Sequence, residues 1–207
     1  MRFLVAALLV AIAAAVGAQP SPVAPAPAAQ ITLSGAALAS ALRRGGYVIY
    51  FRHTSTDFGQ DDSRMSGYED CTTQRNLTEA GRAEARAIGV EVKRLKIPVA
   101  RVLASPYCRT IETGRLIFGT AEVSMAARGG PASADGDRYA ELKALFATPP
   151  PQGSNVVISS HGNPYRAIVS GAYLQEGEAA IIEPLPPNNF RVVARITKND
   201  WAALPAP

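Results

Sequence analysis

The chain has 207 residues, a formal charge of +4 and a pI near 9.3. That length suits one domain with a sizeable core, and the modest positive charge favours anionic partners. No Lys/Arg-rich run with interleaved aromatics is present, which speaks against nucleic acid as a partner.

The first residues are set apart from the rest. Arg2, an apolar stretch over 3–16 and the small residues around Val16-Gly17-Ala18 read as a secretory signal peptide cleaved after Ala18. The stretch falls short of the ~20 apolar residues of a membrane span. No cysteine stands directly after it, so no lipoprotein anchor is indicated and no stable membrane anchor is expected after cleavage. Residues 19–30, with Pro20, Pro22, Pro25 and Pro27, read as a disordered Pro/Ala-rich linker. The folded domain is expected over 31–207, in the periplasm or outside the cell.

Ser34 is placed to cap a helix over 36–44, which Gly45-Gly46 ends. Tyr47-Val48-Ile49-Tyr50-Phe51 reads as a buried strand that delivers Arg52-His53 into a long polar loop reaching Asn76. Thr78 caps the next helix, with Glu79 in its first turn. That helix runs to about 95, with Ala83, Ala87, Ile88 and Val92 on its apolar side. A strand follows over 99–104. Ser105-Pro106 opens another helix, Pro106 in its first turn, and Gly119 ends it. A short strand over 121–125, a Gly/Pro loop over 128–136 and a helix over 138–146 lead to Pro149-Pro150-Pro151. The apolar run over 155–160 is a strand that ends in His161. A helix over 164–174 and strands over 179–182 and 190–196, joined by a turn-rich segment, complete the chain. Strands alternating with helices predict an α/β class fold, a three-layer α/β/α sandwich with a mostly parallel sheet.

Cys71 and Cys108 are the two cysteines, and in an exported chain they read as one disulfide. It would close a loop of 37 residues, worth ~4 kcal/mol in the chain-entropy account. It would also pin the loop after His53 to the element carrying Arg109.

In open α/β sheets ligands lie outside the carboxyl ends of the strands. The chain's two histidines, His53 and His161, both stand there, as do Arg52 and Arg109. A buried arginine needs an anion, and its planar fork suits carboxylate or phosphate. Either arginine alone would be read as a structural ion pair. The four together point to an oxyanion site containing a nucleophile. No ligand spacing for a metal is present, and neither are a G-x-S-x-G elbow, a P-loop or a G-x-G-x-x-G turn. No cofactor is expected.

Four motifs then carry a resemblance. Arg52-His53, Leu77-Thr78-Glu79-x-Gly81, Ser105-Pro106-x-x-Arg109-x-x-x-Thr113 and Ser160-His161-Gly162-Asn163 resemble, in order, those of the histidine phosphatase superfamily with its phosphoglycerate mutase-like fold. The likeness is greatest to the small exported bacterial members. It implies that His53 is a nucleophile transiently phosphorylated, that Arg52, Arg109 and His161 bind the phosphoryl oxygens, and that a small phosphate ester is hydrolysed without metal.

Two departures stand out. Thr54 occupies the third position of the family's R-H-G, where its hydroxyl is a candidate substrate contact. The leaving-group acid is also not evident. Branch-one relatives place a Glu in the segment that here reads Ala126-Ala127-Arg128-Gly129-Gly130-Pro131, and Asp135 and Asp137 lie just beyond. Glu178, with Glu176 as alternative, is the candidate acid, and Asp57 is a further one. The other readings are an anion-binding module of the same fold that has lost turnover, and a phosphomutase.

Overall fold

The apolar run before His53 forms strand β1 (Val48–Arg52), and its alternating side chains feed two hydrophobic layers. The computed structural model describes residues 31–130, 136–170, 173–185 and 187–207, so the signal and linker readings lie outside the described residues. Ile49 and Phe51 point into the first layer. There they meet Leu38 and Leu42 of α1 (Gly35–Arg44), Ile88 and Val92 of α2 (Glu79–Arg94), Ile117 of α3 (Cys108–Phe118) and Trp201, whose ring stacks on Phe51. Val48 and Tyr50 point into the second layer. Their neighbours there are Ala127 of α4 (Met125–Arg128), Leu142 and Phe146 of α5 (Ala140–Ala147), and Tyr165 and Ile168 of α6 (Gly162–Ile168). The three-layer expectation holds.

The remaining strands are β2 (Val99–Ala104), β3 (Glu122–Val123), β4 (Asn155–Ser160), β5 (Ala179–Leu185) and β6 (Asn189–Ile196). They lie in the order β3-β2-β4-β1-β5-β6. The first four are parallel, and β5 and β6 add an antiparallel edge. At the opposite end from the histidines, Asn155 is buried and its amide joins three elements. It donates to the carbonyls of Leu42 and Pro98, both at 2.8 Å, and accepts from the Tyr47 N–H at 3.2 Å.

Several boundaries differ from the sequence reading, each for a local reason. Pro106 precedes α3, because the chain needs Tyr107 in extended backbone before turning at Cys108. Residues 125–128 form a short helix, where a strand was expected to end at 125 and a loop to begin at 128. The helix over 164–174 stops at Ile168, with Val169 already extended. On α2 the inward positions are Ala85, Ile88, Gly89 and Val92, while Ala83 and Ala87 face solvent. Gly89 is inward because α3 presses close: a Cβ there would lie 2.8 Å from the Ile117 carbonyl oxygen.

Thr78 caps α2 as expected, accepting from the Gly81 N–H at 2.9 Å. A Cβ on Gly81 would lie 2.0 Å from the Ser55 carbonyl oxygen. Glycine here lets the segment after His53 rest on the helix start, where Ser55 also donates to Glu84. Among the described residues no helix is long and apolar enough to cross a membrane.

Candidate active site

Strand register brings the two histidines together. β1 and β4 are parallel neighbours with Arg52 opposite Ser160, so His53 and His161 leave the sheet at the same level. The His53 N–H donates to the Ser160 carbonyl at 3.0 Å, and the two ring centroids are 5.6 Å apart. On the other side of β4, Ser105 follows β2, and its hydroxyl lies 2.8 Å from His161 Nε2. α3 then places Arg109 in its first turn. The Thr113 hydroxyl donates to the Arg109 carbonyl at 2.8 Å and accepts from the Thr54 N–H at 3.3 Å, tying the end of β1 to that turn. Arg52, His53, Arg109 and His161 line one cavity of about 390 Å³.

The state of His53 follows from its surroundings. Nδ1 lies 2.9 Å from the Thr54 carbonyl oxygen, which can only accept, so Nδ1 carries the proton and Nε2 the lone pair. Burial pushes its pKa down to about 3. Arg109, Arg52 and Arg75 add to that fall, and the bond to Thr54 opposes it. His161 is likewise held well below the usual imidazole range, by burial first and then by His53, Arg109, Arg75 and Arg128. Both rings are neutral at pH 7, as a nucleophile requires.

A lowered histidine pKa means that the unfolded chain binds more protons than the folded one. The His53 contribution to stability is therefore complete above the unfolded value near 6.5 and is lost as pH falls toward 3, up to ~5 kcal/mol. The urea midpoint is expected to fall steadily between pH 7 and pH 4, and His53→Gln to flatten that slope. An unchanged slope in the variant contradicts the burial of a neutral ring.

The arginines are held firmly. Arg52 donates to the Leu174 carbonyl at 2.8 Å, lies 3.5 Å from Glu176 and stands over the Tyr173 ring. Arg109 forms a two-pronged pair with Asp62, at 3.0 and 3.1 Å, donates to the Arg75 carbonyl and stands over Tyr107. The Nε atoms of both are buried without a hydrogen-bond partner among the described residues. Desolvation raises the Asp62 pKa, but the bonds from Arg109 and the Arg75 N–H, with the charges of both arginines, outweigh it and hold the carboxyl below its ordinary value.

Several expected site residues stand away from the cavity. Thr54 does not face the cavity: it is fully buried, and its hydroxyl lies 3.4 Å from that of Thr113. The β-branched side chain is accommodated because it turns inward. Glu178 does not reach the cavity either. It is buried against Arg195 in a two-pronged ion pair and accepts from the Gln175 N–H. Glu176 lies closer, 3.9 Å from His53 Nδ1, but its oxygens accept from Thr56 and it does not line the cavity. Asp57 caps the Gly59 N–H and Asp137 pairs with Lys143, both outside the cavity lining. Asp135 lies outside the described residues.

Asp61 and Asp62 are the carboxylates that line the cavity among the described residues. The segment in which a Glu was sought supplies Arg128 instead, and Arg75 and Arg138 also line the cavity. Sequence reasoning missed all five. The available signal was weak: an arginine beside glycines in Arg128-Gly129-Gly130, and acids in the long polar loop after His53.

The expected disulfide joins Cys71 and Cys108, Cα atoms 5.8 Å apart. It anchors a 3₁₀ turn (Cys71–Thr73) to the start of α3 and so steadies the segment that presents Arg75.

Residues 48–130 match the family model described as histidine phosphatase superfamily (branch 1). Among solved structures, Mycobacterial hydrolase 1 is 16% identical and superimposes with a TM-score of 0.51 over 72% of this chain and 98% of its own. The protein histidine phosphatase SixA, complexed with tungstate, is 23% identical with a TM-score of 0.48, covering 73% of this chain and 97% of its own. The mycobacterial glucosyl-3-phosphoglycerate phosphatase, complexed with inorganic phosphate, is 17% identical with a TM-score of 0.48, covering 71% and 94%. No curated protein matches the chain.

Proposed function

We propose, from the match of residues 48–130 to the histidine phosphatase superfamily (branch 1) model, that the protein hydrolyses phosphate monoesters through a phosphohistidine formed on His53. The observation that supports this most is the state of that ring. It is neutral, its Nδ1–H is fixed on the Thr54 carbonyl, and its free Nε2 belongs to a cavity lined by arginines.

The substrate phosphoryl oxygens take hydrogen bonds from Arg52, Arg109 and His161. His53 Nε2 attacks phosphorus, a P–N bond forms and the ester P–O bond breaks. Charge on the equatorial oxygens is met by positioned guanidinium groups, which carry the neutralisation without a metal ion. Water then attacks phosphorus, the P–N bond breaks, and inorganic phosphate leaves with the Nε2 lone pair restored. The departing oxygen needs a proton or must be stable as an anion. Asp62 is ionised while Arg109 holds it and supplies no proton in that state. Esters with good leaving groups are therefore favoured, and solvent protonates poorer ones.

The test is to mix the purified protein with labelled aryl phosphate in the presence of a chelator, quench in alkali and look for label on the protein. An acid-labile, alkali-stable phosphoenzyme whose decay matches turnover is expected. Hydrolysis with no such species overturns the mechanism. Phosphate binding without hydrolysis of any ester would instead establish the non-catalytic reading, which the Asp62–Arg109 pair favours because it occupies one of the phosphate-binding arginines. Label passed to a second hydroxyl in place of water would establish a mutase. The disulfide supports an oxidising location, periplasmic or extracellular.

A further inference from the structure

The cavity holds more positive charge than one phosphoryl group employs. Arg52 and Arg109 flank the histidines, yet Arg75, Arg128 and Arg138 line the same cavity. None of these three forms an ion pair among the described residues. The Arg75 and Arg138 Nε atoms are buried with no hydrogen-bond partner among the described residues. Among the described residues, the Arg128 side chain donates one hydrogen bond, to the Gly129 carbonyl at 3.3 Å. Half-buried guanidinium groups without an anion are costly, and desolvated cations of this kind mark places where an anion binds. About 390 Å³ is also the volume of a small-molecule site, more than a phosphoryl group fills.

The three are presented deliberately. Arg75 is joined to Arg109 through its own carbonyl, and its N–H donates to Asp62 at 2.9 Å. Arg128 ends α4 at Gly129, which has φ +85°. A Cβ on Gly129 would lie 2.5 Å from the Tyr139 ring. Its absence lets the 138–139 segment lie against 129–130, where the Gly130 N–H donates to the Arg138 carbonyl at 2.6 Å. Arg128 and Arg138 thus come from adjoining backbone segments. Each is also steadied over a tyrosine, Arg128 over Tyr68 and Arg138 over Tyr139.

We propose that Arg75, Arg128 and Arg138 form a second anion subsite beside the phosphoryl site, so that the substrate is a small phosphate ester bearing another phosphate or a carboxylate on its leaving-group side. Which anion is cleaved rests on the hydrolase reading; the existence of the subsite does not. The segment that would hold an acid in relatives serves here to recognise charge.

Binding of three non-hydrolysable ligands decides it: propylphosphonate, 3-phosphonopropionate and propane-1,3-bisphosphonate, titrated calorimetrically into the full chain. The bis-anions are expected to bind about ten- to a hundredfold more tightly than propylphosphonate. Whichever of the two gains more identifies the second anion as carboxylate or phosphate. Arg128→Gln with Arg138→Gln should bring that ratio near one, whereas Lys at both positions should keep most of it. Equal affinity for all three ligands in the unaltered protein overturns the subsite without recourse to a variant, as does a ratio that survives the double Gln change. Because the readout is binding, it stands if no ester is hydrolysed. Conversely, aryl phosphate turnover with no bis-anion preference sinks the subsite and leaves the hydrolase intact.

Discussion

Replacing His53 with Ala is expected to lower kcat for an aryl phosphate by on the order of 10³-fold or more, while the variant still binds inorganic phosphate or vanadate. The substitution removes the bond-forming atom but leaves Arg52, Arg109 and His161. No neighbour replaces it. His161 Nε2 is engaged with the Ser105 hydroxyl, and its ring centroid lies 5.6 Å away. Glu176 stands on the Nδ1 side, behind the ring rather than before it. The loss should therefore fall on kcat, and phosphoenzyme labelling should vanish with it. Turnover in His53→Ala comparable to the unaltered protein would remove the mechanism altogether.

The second large effect is expected at Arg109. Arg109→Ala should cost about 10²- to 10³-fold in kcat/KM, more than Arg52→Ala. Arg52 is partnered by a carbonyl and by a carboxylate 3.5 Å away, so its removal leaves little uncompensated charge in the cavity. Arg109 neutralises Asp62, which lines that cavity. Without the guanidinium, Asp62 becomes an unpaired anion at the place a phosphate must enter. Asp62→Asn in the Arg109→Ala background should then recover about tenfold, a coupling that a double-mutant cycle reads directly. If Asp62→Asn restores nothing, the carboxylate is not the cause of the excess loss. On the proposed reading, phosphate and Asp62 compete for one guanidinium in the unaltered protein.

The strands that carry the site were legible because each is an apolar β-branched run that stops at a charged residue. β2 and β4 have the boundaries expected of them, and β1 differs by one residue at either end. The convergence of His53, His161, Arg52 and Arg109 followed from the rule that strand ends face a common crevice. What escaped the sequence were decisions made by packing. The inward turn of Thr54 depends on Thr113 being one helical turn beyond Arg109. Glu178 is claimed by Arg195, a partner two strands' worth of chain away and invisible to local reasoning. Arg128 and Arg138 become neighbours through a glycine that admits a tyrosine ring, a contact no periodicity announces. Elements follow from local pattern, whereas the outer half of the pocket is assembled by loops whose conformation is settled by long-range contacts.

The Cys71–Cys108 bond links the wall bearing Arg75 to the helix bearing Arg109. Until those sulfurs are joined, the long segment after β1 lacks that covalent tie, and the arginine-lined wall is held by weaker contacts alone. Assembly of that wall is thereby coupled to thiol chemistry: the covalent tie between the segment bearing Arg75 and the helix bearing Arg109 exists only where oxidants let the two sulfurs join.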